Sequence, residues 1–212
     1  MTLVSALSAV GSLSFILQLA TAIAAGATGA TALKGYRATD SPTLLRLFAS
    51  FTFLGLGLLL QALSMIEGDQ VISVSILVIG SALDVIGYFL LALSHFFTVR
   101  SEIPTVGTLL FLPAVSIPSL ISLDLFVNAA SLYLLLYISV ETLIFFFQNR
   151  NSKTLISIIG LLLITFGVLL QMLSPSAADL TVVLNALRLG GFLILFSPVA
   201  ILFIHRPEVP AG

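Results

Sequence analysis

The sequence predicts an all-α integral membrane protein, a bundle of seven transmembrane helices arranged as three, one and three. Three observations carry that prediction. Apolar residues make up 59% of the 212 residues and charged residues only 8%, whereas soluble domains use roughly 25% charge to cover their surface. The mean hydropathy is +1.22. The apolar runs are cut by short polar stretches, and all but one reach or exceed the ~20 residues that a bilayer crossing needs.

The polar breaks are "KGYRATDSP" (34–42), "EGDQ" (67–70), "VRSEIP" (99–104), "PSLISLD" (118–124), "QNRNSK" (148–153) and "SPSAAD" (174–179). They leave helices near 4–33, 43–65, 71–98, 104–118, 122–148, 153–174 and 180–204. The first run follows no basic n-region and is about twice the length of the ~7–15-residue core of a secretory signal, so it is expected to stay as a membrane helix. The fourth run is short and holds Pro104, Pro113 and Pro118. It counts as a crossing because of charge. With seven crossings, Lys34, Arg37, Arg46, Arg100, Arg150, Lys153 and Arg206 fall on one side. Glu67, Asp69, Asp124 and Asp179 then mark the other side, without lysine or arginine. The positive-inside rule places the chain in the cell membrane with the N-terminus outside and the C-terminus cytoplasmic.

The stretch "GLLLQALS" (57–64) returns as "GVLLQMLS" (167–174), and "SALDVIGYFLLALS" (81–94) returns as "NALRLGGFLILFS" (185–197). The spacing is 110 residues for the first pair and 104 for the second. A duplicated three-helix unit explains both, with residues 1–103 as the first repeat, 104–121 as a linking helix and 122–212 as the second repeat. An odd linker makes the two halves enter the membrane in the same direction, the parallel-repeat arrangement. Helices one and five share little beyond a basic end. This topology is similar to that of the SWEET-type sugar transporters, which are also three-plus-one-plus-three. Their halves carry a proline–glutamine pair, and neither Gln61 nor Gln171 follows a proline here. In texture the run "KGYRATDSPTLLRLFASFTFLGLGLLLQ" followed by "IGYFLLALSHF" resembles uncharacterised archaeal multi-pass membrane proteins built from a repeated three-helix unit. That resemblance spans residues 34–97 and implies no activity.

Polar residues inside the apolar runs are the candidate site. Asp84 and Arg188 each cost about 2.5–3.5 kcal/mol at a helix centre and occupy equivalent positions in the repeat. Counted from Arg100 and Arg206 they lie about 24 and 27 Å deep. They are expected to pair across the two halves, as an ion pair that docks the bundles or as a gate. Gln61, Gln171, Asn128 and Asn185 lie in the outer halves of their helices as candidate outer gate residues. His95 and Glu141 lie toward the cytoplasmic end, where they form a candidate proton relay. In helix one, Ala22, Gly26 and Ala30, with Ala25 and Gly29 beside them, form a small-residue packing face.

Several chemistries lack their residues. There is no cysteine, hence no thiol chemistry. Lys34 and Lys153 both sit at the rim, so no buried lysine serves retinal. A haem held between two histidines needs a pair inside the bundle, and the only two are His95 and the near-terminal His205; no metal-ligand spacing occurs. Phosphate-cradling glycine motifs are missing. A net charge of −1 argues against nucleic acid. The expectation is no metal, no cofactor and no catalytic residue, with the lipid bilayer as the surroundings and a protein partner or homo-oligomer left open. The functional expectation is a small-solute transporter or channel working between two halves. The alternatives are a non-catalytic subunit of a larger complex and a membrane sensor with a separate output protein.

Overall fold

The computed structural model describes residues 3–98, 120–173 and 178–204, with side chains for 11–94, 126–152, 154–173 and 180–197. Among these residues the chain forms six α-helices and no strand: α1 Leu3–Thr39, α2 Pro42–Ser64, α3 Gln70–Thr98, α4 Leu120–Asn149, α5 Ser152–Leu173 and α6 Ala178–Ile204. All six are long and apolar enough to cross a membrane. The expected fourth segment, 104–118, lies outside the described residues.

The first helix continues past the expected boundary near residue 33, because "KGYRAT" holds no proline and a single glycine does not end a helix. The break comes at Asp40, whose φ of 51° turns the chain and lets its N–H bond the carbonyl of Tyr36 at 2.7 Å. Ser41 is then extended (ψ 115°), as a residue before proline tends to be, and Pro42 starts α2, where its missing N–H costs nothing. The α4–α5 turn is built the same way. Arg150 has φ 44° and bonds Phe146 at 2.7 Å, and Asn151 accepts from Thr154 and Leu155. At the other end of the bundle Asp69 caps α3. Its Oδ1 accepts from the N–H groups of Val71 and Ile72 at 2.8 and 3.2 Å, which satisfies donors that helix geometry leaves free.

Among the described residues the helix backbones approach each other closely only between helices consecutive in the chain and between α6 and α1. The six helices therefore form a ring. The short turns at 40–41 and 150–151 make α1 and α2, and likewise α4 and α5, antiparallel. Gln61 and Gln171, near the ends of α2 and α5, line one cavity, so α2 and α5 end on the same side. It follows that α1, α3, α4 and α6 all run the other way, and that α3 and α4 are parallel neighbours. Lys34, Arg37, Arg46 and Arg150 thus gather at one end of the bundle together with Asp40, and Glu67 and Asp69 at the opposite end.

The ring is held closely by small residues. Gly55 packs on the backbone of Ala22 and Gly26, and a side chain at Gly191 would meet the carbonyl of Gly160 at 2.7 Å. Such approaches let backbones and dispersion contacts hold helices together where lipid removes the hydrophobic drive between them. The small-residue face of α1 divides: Ala22, Ala25 and Gly29 are buried, while Gly26 and Ala30 are exposed beside them. The ring's centre is filled by Leu54, Leu135, Ile138, Ile164 and Val168, with Phe51 and Phe192 edge to face at 6.3 Å. Large apolar side chains such as Ile23, Val71, Phe147 and Leu173 face outward, as a bundle solvated by lipid requires.

Candidate functional site

Two glycine–glutamine units on α2 and α5 build the site. On α2, Gly57 and Gln61 are one helical turn apart and share a face. Gly57 brings α2 so near α3 that a side chain there would meet the Gly80 carbonyl at 2.7 Å and run into the carboxylate of Asp84. Asp84 lies over this bare backbone, and its Oδ2 accepts a 2.7 Å hydrogen bond from Gln61 Nε2. The other end of the Gln61 amide accepts from Gln18 Nε2 on α1 at 2.9 Å. On α5, Gly167 leaves room for the stem of Arg188, whose Cγ stands 3.3 Å from where a side chain would begin. Arg188 Nη2 donates to Gln171 Oε1 at 2.6 Å.

The two glutamines work in opposite senses. A carboxylate only accepts and a guanidinium only donates, so Gln61 must turn its NH2 to Asp84 and Gln171 its oxygen to Arg188. Glutamine is one of the few side chains that serves either charge at a buried position without adding a charge of its own. Hydrogen bonds to ionised groups are worth about 1.5–3 kcal/mol, comparable with the cost of placing either charge in the membrane.

Asp84 and Arg188 are 6% and 7% exposed. Sequence reasoning expected them to pair directly. The hydrogen bonds they make run instead to the glutamines, and Asp84 Oδ1 and Arg188 Nε have no hydrogen-bond partner. Both residues line one cavity of about 210 Å³, together with Gln61, Gln171, Asn128 and Ser131. Tyr88 and Ser81 of α3 also face it, as do Leu77 and Val127. At the ~30 Å³ that a water occupies in the liquid, the cavity has room for about seven waters. It is smaller than the ~300–1,000 Å³ typical of pockets for drug-sized ligands.

The structure brings five of the candidate residues to this cavity: Gln61, Asp84, Asn128, Gln171 and Arg188. Asn185 is buried but turned away from it, donating to the Ser14 carbonyl of α1 at 3.4 Å. Glu141 is half-buried on α4, one turn beyond Tyr137, with which it interacts; it lies roughly 20 Å along the helix from Asn128. His95 belongs to α3, and its side chain lies outside the described residues. Sequence reasoning missed Gln18, the residue that holds Gln61. Its spacing from Asn128 is the same 110 residues that separates Gln61 from Gln171, and carrying that spacing back into α1 would have found it. Among the described residues no group of three His, Cys, Asp or Glu side chains is placed to hold a metal ion. The chain matches no protein-family model, no curated protein and no solved structure at a significant level.

The two glycine seats differ in how much they tolerate. Gly57→Ala drives a methyl into the Asp84 carboxylate and a backbone carbonyl, whereas Gly167→Ala meets a flexible methylene at 3.3 Å. We expect Gly57→Ala to lower stability by about 1–3 kcal/mol and Gly167→Ala by clearly less, as read by thermal unfolding in lipid nanodiscs. Equal effects would mean that Asp84 does not sit over Gly57.

Proposed function

We propose that this polytopic membrane protein is a small-solute transporter or channel made of two copies of a three-helix unit, with its solute path at the cavity between them. The observation that carries the reading is the polar cavity itself. Its walls come from α2 and α3 of one half and from α4, α5 and α6 of the other, and it holds a buried charge from each half. A cavity that is merely structural has no use for two charges that are costly to bury and not bonded to each other.

Correspondence between the halves supports the duplication. At the 110-residue spacing, Asp40 matches Arg150, with the same bond to the residue four before it, and Gly57 and Gln61 match Gly167 and Gln171. Leu54 packs on Gly87 as Ile164 packs on Gly191, and the Ser50 hydroxyl bonds the Gly87 carbonyl where Gly160 touches that of Gly191. In α1 the buried residues Thr21, Ala24, Ala25, Thr28, Gly29 and Ala32 match Ser131, Leu134, Leu135, Ile138, Ser139 and Thr142 of α4, also buried. A ring in which α1, α2 and α3 map onto α4, α5 and α6 by a half-turn about the membrane normal has this pattern. The parallel run of α3 and α4 supports seven crossings in place of six, since the chain between them starts at one end of the bundle and finishes at the other. The basic end of the ring supports a cytoplasmic C-terminus.

A second reading, a membrane sensor, is favoured by the apolar plug below the cavity, where Leu54, Ile138, Ile164 and Phe192 close the ring. The two readings differ in flux. Proteoliposomes should take up small polar solutes faster than empty vesicles in a stopped-flow swelling assay, and Asp84→Asn with Arg188→Gln should reduce the difference at least tenfold. Solute binding without flux would remove the transporter and leave the sensor.

Orientation is tested on a cysteine-free background. A cysteine at Glu67 should react with a membrane-impermeant maleimide in intact cells, and one at Arg150 only after permeabilisation. The reverse labelling would invert the proposed topology.

A further inference from the structure

We propose that the cavity binds a small zwitterion, such as an α-amino acid or a betaine, with its anionic group on the Arg188 guanidinium and its cationic group toward the Asp84 carboxylate. This rests on the reading of the cavity as a solute site and names the class of solute.

Charge balance leads to the class. The charged residues lining the cavity are Asp84 and Arg188, so the lining is neutral overall but divided. An anion entering alone meets Arg188 but leaves Asp84 beside an added negative charge, and a cation alone does the converse. In a site walled by protein and lipid such repulsion is poorly screened. A neutral solute adds no counter-charge to either and leaves only their attraction to each other. A zwitterion offers each charge its opposite and keeps the sum at zero. No hydrogen bond joins the two protein charges, which interact only electrostatically, and each keeps one buried polar atom, Arg188 Nε and Asp84 Oδ1, without a hydrogen-bond partner. The guanidinium suits a carboxylate, which it binds through parallel N–H groups.

Size sets the upper limit. About 210 Å³ holds one solute of roughly the bulk of seven waters, which excludes sugars of two rings, nucleotides and lipids. The remaining walls allow variety in the rest of the solute. Asn128, Ser131 and Tyr88 offer hydrogen bonds, and Leu77 and Val127 offer a short apolar surface.

The test is equilibrium binding to the full chain in lipid nanodiscs, by isothermal calorimetry at matched ionic strength. The probes are glycine, alanine, serine, proline and glycine betaine, against acetate, methylammonium and urea. At least one zwitterion should bind saturably and at least tenfold more tightly than each of the three single-character probes. Asp84→Asn keeps an oxygen for Gln61 and is expected to fold; it and Arg188→Gln should each weaken the binding at least tenfold while the melting profile stays cooperative. Binding of acetate, methylammonium or urea as tight as that of every zwitterion, or no saturable zwitterion binding, overturns the proposal. Swelling flux separates the two claims. Urea flux without zwitterion binding sinks the solute class and keeps the transporter, and zwitterion binding without flux does the opposite.

Discussion

Two opposite charges buried in a bundle that lipid surrounds are the constraint on which the rest of the structure depends. An aspartate and an arginine in adjacent water would need no special arrangement. Inside the ring each needs hydrogen bonds, space for its stem and a route to compensation, or the helix that carries it would not stay in the membrane. The chain meets this need twice with one local device. A glycine opens a slot on α2 or α5, and a glutamine one turn later reaches the charge that lies in the slot. The repeated "GLLLQ" and "GVLLQ" are the seats for a charge from the following helix. Gln18 extends the first seat to α1, so the Asp84 site fastens three helices.

Ring closure follows from the same economy of space. Close backbone approaches at Gly57, Gly80, Gly87, Gly160 and Gly191 draw α2 onto α3 and α5 onto α6. These pairs become stiff hairpins, and α1 and α4 pack beside them to complete the ring. The interior then divides by depth. Leu54, Ile138, Ile164 and Phe192 fill one level and exclude water. At the level of the two charges the side chains are too few to fill the space, and a cavity remains. The proposed solute completes the compensation that the glutamines begin.

Much of the architecture was legible in the sequence. Hydropathy located every described helix to within a few residues, except that α1 runs on to Thr39, since nothing before Asp40 forces a break. The cavity's principal residues were legible as well, because polar groups stand out in so apolar a chain and the repeated octapeptide marked the glutamines. The contact between them was not legible. Depth along a helix follows from residue count, but which way a side chain turns depends on how the helices are rotated against each other, and so the direct Asp84–Arg188 pair was expected where two glutamine bonds occur. Asn185 was assigned to the site by depth alone and turns instead toward Ser14. Under the proposed duplication, helix one seemed unlike α4 because identity was the criterion. The correspondence lies in burial: Ala25 and Leu135, or Thr28 and Ile138, differ in chemistry yet are each essentially inaccessible. Packing constrains the face that a residue occupies more tightly than its identity.

Each buried charge is held by its own glutamine, and a cavity rather than a hydrogen-bonded ion pair lies between them. Double-mutant cycles on thermal stability in lipid nanodiscs test this directly, using leucine at Gln61 and Gln171 and at Asp84 and Arg188 in turn. The expected result is coupling of about 1–3 kcal/mol within Gln61–Asp84 and within Gln171–Arg188, and a smaller coupling between Asp84 and Arg188. A coupling between Asp84 and Arg188 that exceeds both glutamine couplings, near the ~3–5 kcal/mol lost when a buried pair is broken, would contradict it.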